Sequence, residues 1–124
     1  NFVTPSEAVK IYEPVAELDI HNPVSWADVE RDLSAWRSNS MQEEALRALY
    51  ALESAVLNAR DKPLIADWRR LQTSDHFYYM CTKWFADGDV HKYFNPYDSP
   101  YDAFISFINV FKDIEARCAD IDTA

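Results

Sequence analysis

An aspartate stands where a leucine would be expected. Stepping from Leu64 by alternating fours and threes gives Leu64, Trp68, Leu71, Asp75, Tyr78, Thr82 and Phe85, the spacing of one face of a helix. A carboxylate on a core-facing stripe is costly unless it is paired or wet. Asp75 is therefore either paired inside the fold, with Arg70 or a tyrosine hydroxyl, or it faces a wet cleft. Its company suits sugar chemistry. Tyr78 lies one turn on, and Trp68, Tyr79 and Trp84 are close in sequence. Aromatic faces stack on the CH faces of a sugar ring while a carboxylate accepts bonds from its hydroxyls. A satisfied structural carboxylate fits the same spacing, so the residues alone leave both readings open.

The remaining chemistry-bearing residues form weaker patterns. Trp26 and Trp36 either pack the N-terminal arm onto the rest of the chain or offer a sugar platform. Cys81 and Cys118 fall at apolar helix positions and read as buried thiols; a disulfide would need neighbouring helices at matching height. His21, His76 and His91 include no i, i+4 pair for zinc. His76 projects about 100° away from Asp75 around a helix. Asp87-Gly88-Asp89-x-His91 carries hard ligands, but a calcium loop needs several more oxygens at spaced positions. It reads as a solvated helix-ending turn, as Glu115, Asp120 and Asp122 read as a solvated helix end. No metal and no cofactor is expected.

The elements that must position these residues are helical. The 124 residues include one glycine and six prolines, which argues against tight β-turns and against a glycine-rich phosphate loop. Thr4…Glu7 with Pro5 opens a short helix to about Tyr12. Residues 13 to 24 carry Pro14, Asn22 and Pro23 and read as a connection. Ser25…Asp28 then marks a second segment, with Trp26, Val29, Leu33 and Trp36 at spacings of 3, 4 and 3. Ser40…Glu43 opens a long helix with the stripe Met41, Ala45, Ala48, Leu52, Val56 and Ala59. Pro63 marks the next helix, which runs to about Ala86 and ends at Asp87-Gly88-Asp89. Residues 87 to 98 form a loop. Ser99-Pro100-Tyr101-Asp102 opens the last helix, striped by Phe104, Phe107, Phe111, Ile114, Cys118 and Ile121. The expected fold is all-α: a three-helix, up-down-up bundle over 40–124, wrapped by an N-terminal arm over 1–39 with one or two short helices.

The formal net charge of -9 repels nucleic acid and anionic membranes, so neither is an expected partner. No run reaches the roughly 18 apolar residues of a membrane span, and there is no secretory signal pattern. The chain begins with Asn1 and reads as a piece of a longer protein.

Leu71 to Met80, LQTSDHFYYM, resembles the fifth conserved region of glycoside hydrolase family 57. Further stretches resemble its α-amylase branch: Phe2 to Glu7, Ser25 to Asp28 with Glu30 to Trp36, Lys83 to Asp89 and Tyr93 to Tyr97. The resemblance implies an incomplete (β/α)₇ barrel followed by a helical bundle, the two closing one active-site cleft on α-1,4-glucans. It implies that Asp75 and Tyr78 line the sugar subsites. Tyr78 stands where many family members carry tryptophan. Trp26, Trp36 and Trp68 are candidates for the cleft wall. A retaining glycosidase needs two carboxylates about 5 Å apart across the scissile bond. In the family both come from the barrel, and nothing in this chain alternates strand and helix. The chain alone is expected to lack hydrolytic activity, with the barrel of the same protein and an α-glucan as its partners. The other function class is a non-catalytic helical module that binds a protein through the same aromatic surface.

Overall fold

The computed structural model describes residues 2–27, 29–83 and 93–122. The chain is all-α, with no strand among the described residues. The short helix α1 spans Pro5–Ile11. The bundle is built from α2 (Ser40–Ala51), α3 (Glu53–Ala59), α4 (Lys62–Leu71), α5 (Ser74–Tyr79) and α6 (Pro100–Asp122). The long α6 packs against α2, α3, α4 and α5 and is the element around which the bundle is organised.

The helices α1, α2, α4 and α6 begin where a side chain satisfies one of their unpaired N–H groups, whereas α3 and α5 have no side-chain cap. Thr4 and Glu7 form a reciprocal capping box, and Asp61 accepts from Leu64 N at 2.7 Å. Ser99 Oγ accepts from Asp102 N and donates to Asp102 Oδ2. At α2 the box lies one residue before the expected Ser40…Glu43. Asn39 caps the helix and Gln42 reaches back to it, because Asn is at least as good a cap as Ser and Gln serves at the third position. Arg60 ends α3 in the left-handed region at φ 54, a conformation helices often use to terminate. With only Arg60 and Asp61 between them, α4 turns straight back onto α3.

The bundle core is the larger of two apolar clusters among the described residues. Leu64, Trp68 and Leu71 of α4 meet Phe107, Phe111, Ile114 and Cys118 of α6, with Ala45, Leu49 and Val56 from α2 and α3. The α6 stripe thus follows the sequence spacing, while Leu49 joins the α2 face unforeseen. Cys81 and Cys118 are both buried thiols. Across the α4–α6 seam Arg117 bonds Asp67 at 2.9 Å, and along α6 it bonds Asp113 at 3.2 Å. The Asp67 contact, a hydrogen bond reinforced by charge, holds the Asp67 carboxyl below the usual carboxylate range.

Three expectations need correction. The helix expected from Pro63 to about Ala86 stops at Leu71 and restarts at Ser74. Thr73 Oγ1 donates to Arg70 O at 2.7 Å while Thr73 N donates to the same carbonyl at 3.1 Å. Thr and Ser side chains compete with the helical ladder in this way. The break shifts the phase: Phe77, Tyr78, Met80 and Cys81 are buried, whereas Asp75 and Thr82 are exposed. Asp75 is therefore not on a core stripe. The end of the expected helix at Asp87-Gly88-Asp89 lies outside the described residues. Second, residues 25–39 form turns and bends instead of a helical segment, in their described part. Third, the arm wraps the bundle only in part. Residues 2–24 are exposed almost throughout and α1 buries none of its side chains, whereas Ala27 and Ala35 are fully packed.

Candidate functional site

Tyr78 is the centre of an aromatic cluster. It is only 6% exposed and packs with Ala27 and Ala35. The Trp26 and Trp36 rings both lie 5.7 Å from it, centroid to centroid, and 5.9 Å from each other in an edge-to-face arrangement. Offsets of this kind suit the ring quadrupoles. Trp26 is the outer member, 65% exposed, so Tyr78 forms the floor and Trp26 the accessible surface. The sequence spacing of Trp26 and Trp36 is helical, yet a loop brings them together.

That loop is closed by its own polar groups. Ser25 N donates to Arg31 O at 2.7 Å, and Ala27 N donates to Ser25 Oγ at 3.2 Å. The Arg31 guanidinium donates to Trp26 O, and the Arg31 backbone is left-handed at φ 53. A non-glycine residue in that region stores strain and persists only where its surroundings hold it. Lys83 anchors the far side, donating to Ser34 Oγ at 2.7 Å and pairing with Glu30 at 3.2 Å.

Asp75 lies in the first turn of α5, exposed, where a carboxylate complements the helix dipole. Its charge is felt at Tyr79. Burial pushes the Tyr79 hydroxyl pKa up, and the negative charge of Asp75 pushes it the same way. The Tyr79 and Tyr97 rings meet edge to face at 5.9 Å. Asn95 Nδ2 reaches Tyr79 O at 3.4 Å, so the segment preceding α6 is tied to α5 beside Asp75.

Of the expected site residues, the fold unites Tyr78, Trp26 and Trp36. Trp68, a candidate for the cleft wall, is 4% exposed in the bundle core and gives its indole N–H to Leu49 O at 3.0 Å. Its ring thus lies in the core and away from the Trp26–Trp36–Tyr78 cluster. Asn39, Gln42, Lys83 and Tyr97 were not anticipated as neighbours of the site. The one advance signal was the Asn-x-x-Gln spacing at 39–42, which marks a helix start.

Two open hollows lie elsewhere. One of about 560 Å³ is lined by Arg37, Glu43, Leu46, Arg47 and Tyr50, where Arg37 and Glu43 are already paired at 2.9 Å. The other, about 210 Å³, runs along the α4–α6 seam past Asp67, His76 and Arg117. Neither contains Asp75, Tyr78, Trp26 or Trp36. Among the described residues, no three His, Cys, Asp or Glu side chains gather to hold a metal ion, and no helix is long and apolar enough to cross a membrane. The Asp87–His91 loop lies outside the described residues.

No protein-family model matches the chain, and no solved structure matches it. It is 37% identical over 124 aligned residues to a Methanocaldococcus jannaschii protein described as a "Putative alpha-amylase". The match covers 91% of this chain and 26% of that protein. Almost the whole chain is thus similar to one part, about a quarter, of an amylase-type relative.

Proposed function

We propose that this chain is a C-terminal helical subdomain of a family 57 glycoside hydrolase or glucanotransferase, lining the cleft for α-1,4-glucans without supplying the catalytic carboxylates. The observation that carries this reading is the pairing of similarity over 91% of the chain to part of an amylase-type protein with an exposed tryptophan, Trp26, stacked on Tyr78, which lies three residues beyond Asp75 in the sequence. Asp75 is the sugar-contacting carboxylate. Tyr78 acts through Trp26, which covers it and presents the stacking face. Hydroxyls donate to Asp75 while a ring's CH face lies on the indole.

The exposed arm favours a companion statement. Phe2, Val9, Val15 and Leu18 are each more than four-fifths exposed, apolar surface that a partner domain could cover. In this reading it seats the catalytic domain of the same protein. A stand-alone module that binds a different protein is the second reading, supported by the same arm.

The test uses both the 124-residue chain and the enzyme containing it. The chain alone should release no reducing sugar from starch. In the enzyme, Asp75→Ala should lower kcat/KM for maltooligosaccharides about 10- to 100-fold, the worth of a hydrogen bond to a charged group. Hydrolysis by the chain alone that disappears with Asp75→Ala would overturn the non-catalytic assignment. Full activity of the enzyme carrying Asp75→Ala would overturn the site.

A further inference from the structure

The groups assigned to the sugar lie on two separate stretches that must be fixed against each other. Residues 25–39 carry Trp26 and Trp36 without a helix in their described part. Helix α5, which carries Asp75 and Tyr78, has 6 residues, well short of the roughly 12–15 at which isolated helices become stable. A buried polar knot at the start of α2 joins them. The Gln42 side chain is fully buried. Its amide donates to Ala35 O at 2.8 Å and to Phe77 O at 2.9 Å. Its oxygen accepts from Ser38 N at 2.8 Å and Asn39 N at 3.1 Å. Asn39 in turn donates from Nδ2 to Met80 O at 2.8 Å, while its Oδ1 accepts from Gln42 N at 3.0 Å.

The places gripped are informative. Ala35 directly precedes Trp36, and Phe77 directly precedes Tyr78. The knot therefore holds the backbone beside two of the three clustered rings. Apolar packing tolerates small slides, but a hydrogen bond does not. A shift of α5 against the loop would strand buried carbonyls on both sides at once.

We propose that Gln42 and Asn39 are positioning residues that set the geometry of the aromatic platform, a role that rests on the sugar-cleft reading above. They touch no substrate and act through Tyr78, Trp36 and, above them, Trp26. Two substitutions separate this role from helix capping. Gln42→Glu keeps an oxygen for the Ser38 and Asn39 N–H groups and loses the donors to Ala35 and Phe77. Asn39→Asp keeps the cap, since both residues cap about equally well, and loses the donor to Met80.

Trp26 and Trp36, 5.9 Å apart, should give an exciton couplet in far-ultraviolet circular dichroism. Subtracting the spectrum of Trp26→Phe isolates it. In the folded chain, both variants should lose most of the couplet amplitude. In the enzyme containing the chain, both should raise KM for maltooligosaccharides about tenfold with kcat little changed, because misplacing a binding group weakens positioning. A couplet and KM that stay intact while the melting temperature falls would overturn the proposal, leaving stability as the only role. If Gln42→Glu does not fold, Asn39→Asp decides alone, and an unchanged couplet there overturns it. If both variants lose the couplet but neither they nor Asp75→Ala alter the kinetics, the knot's control of the rings stands and the sugar-cleft reading falls.

Discussion

Residues 2–24 and 25–39 adjoin in sequence and are held in opposite ways. The first stretch contains a well-formed helix with a proline at its start and a complete capping box, yet that helix buries no side chain. The second contains no helix in its described part, yet Ala27 and Ala35 are as buried as any core residue. The local signals are strong in the arm and weak in the loop, while the tertiary contacts run the other way. A capping box reports only that a helix can start. Packing requires an apolar face with something to meet, and in the loop two alanines and a tryptophan find one in Tyr78.

The contrast can be broken by substitution. The largest effect is expected inside the bundle. Trp68→Ala removes a core ring and its bond to Leu49 O, and should cost about 3–5 kcal/mol in urea unfolding of the chain. A loss under about 1 kcal/mol would place Trp68 outside the cooperative core. Next comes the loop. Ala35→Leu should overpack the contact with Tyr78 at about 1–3 kcal/mol and alter the near-ultraviolet circular dichroism of Trp36. If it costs nothing, the loop is held no better than the arm.

A third effect depends on pH. Arg117 lowers the Asp67 carboxyl below its ordinary range, so the folded state binds that proton more weakly than the unfolded state. The stabilisation is present above the ordinary carboxylate range and disappears as pH falls through the lowered folded value. Arg117→Met should therefore reduce the melting temperature near neutrality, and the gap to the parent chain should close in acid. A gap independent of pH would assign the effect to packing by the arginine stem. The smallest effect belongs to the arm. Deleting residues 2–24 should change bundle stability by less than about 0.5 kcal/mol. A substantial loss would show that the arm is part of the fold.

The parts of this molecule legible in sequence are those governed by neighbours in sequence. Thr4 and Ser99 each start a helix as their spacing predicts, and Asp61 caps the helix that Pro63 marks. Phe107, Phe111, Ile114 and Cys118 share one face because a single uninterrupted helix carries them. The α4 stripe is correct through Leu71; beyond it Tyr78 is buried as expected, whereas Asp75 and Thr82 are exposed. That departure traces to Thr73, whose hydroxyl takes the Arg70 carbonyl; the apolar pattern continues across the break and conceals it. Asp75 consequently moves from an expected core position to the surface, and Tyr78 is buried under Trp26. Gln42 was hidden for a different reason. A lone glutamine on a helix reads as solvated, and only the fold brings Ala35 O and Phe77 O within its reach.

The central claim, that the α5 surface meets an α-glucan, is tested most directly by equilibrium binding. The measurement is the affinity of a maltooligosaccharide for the enzyme containing this chain, with Asp75 intact and with Asp75→Ala. Loss of a hydrogen bond to the carboxylate should weaken binding about tenfold or more. Unchanged affinity in a folded Asp75→Ala enzyme would contradict the claim.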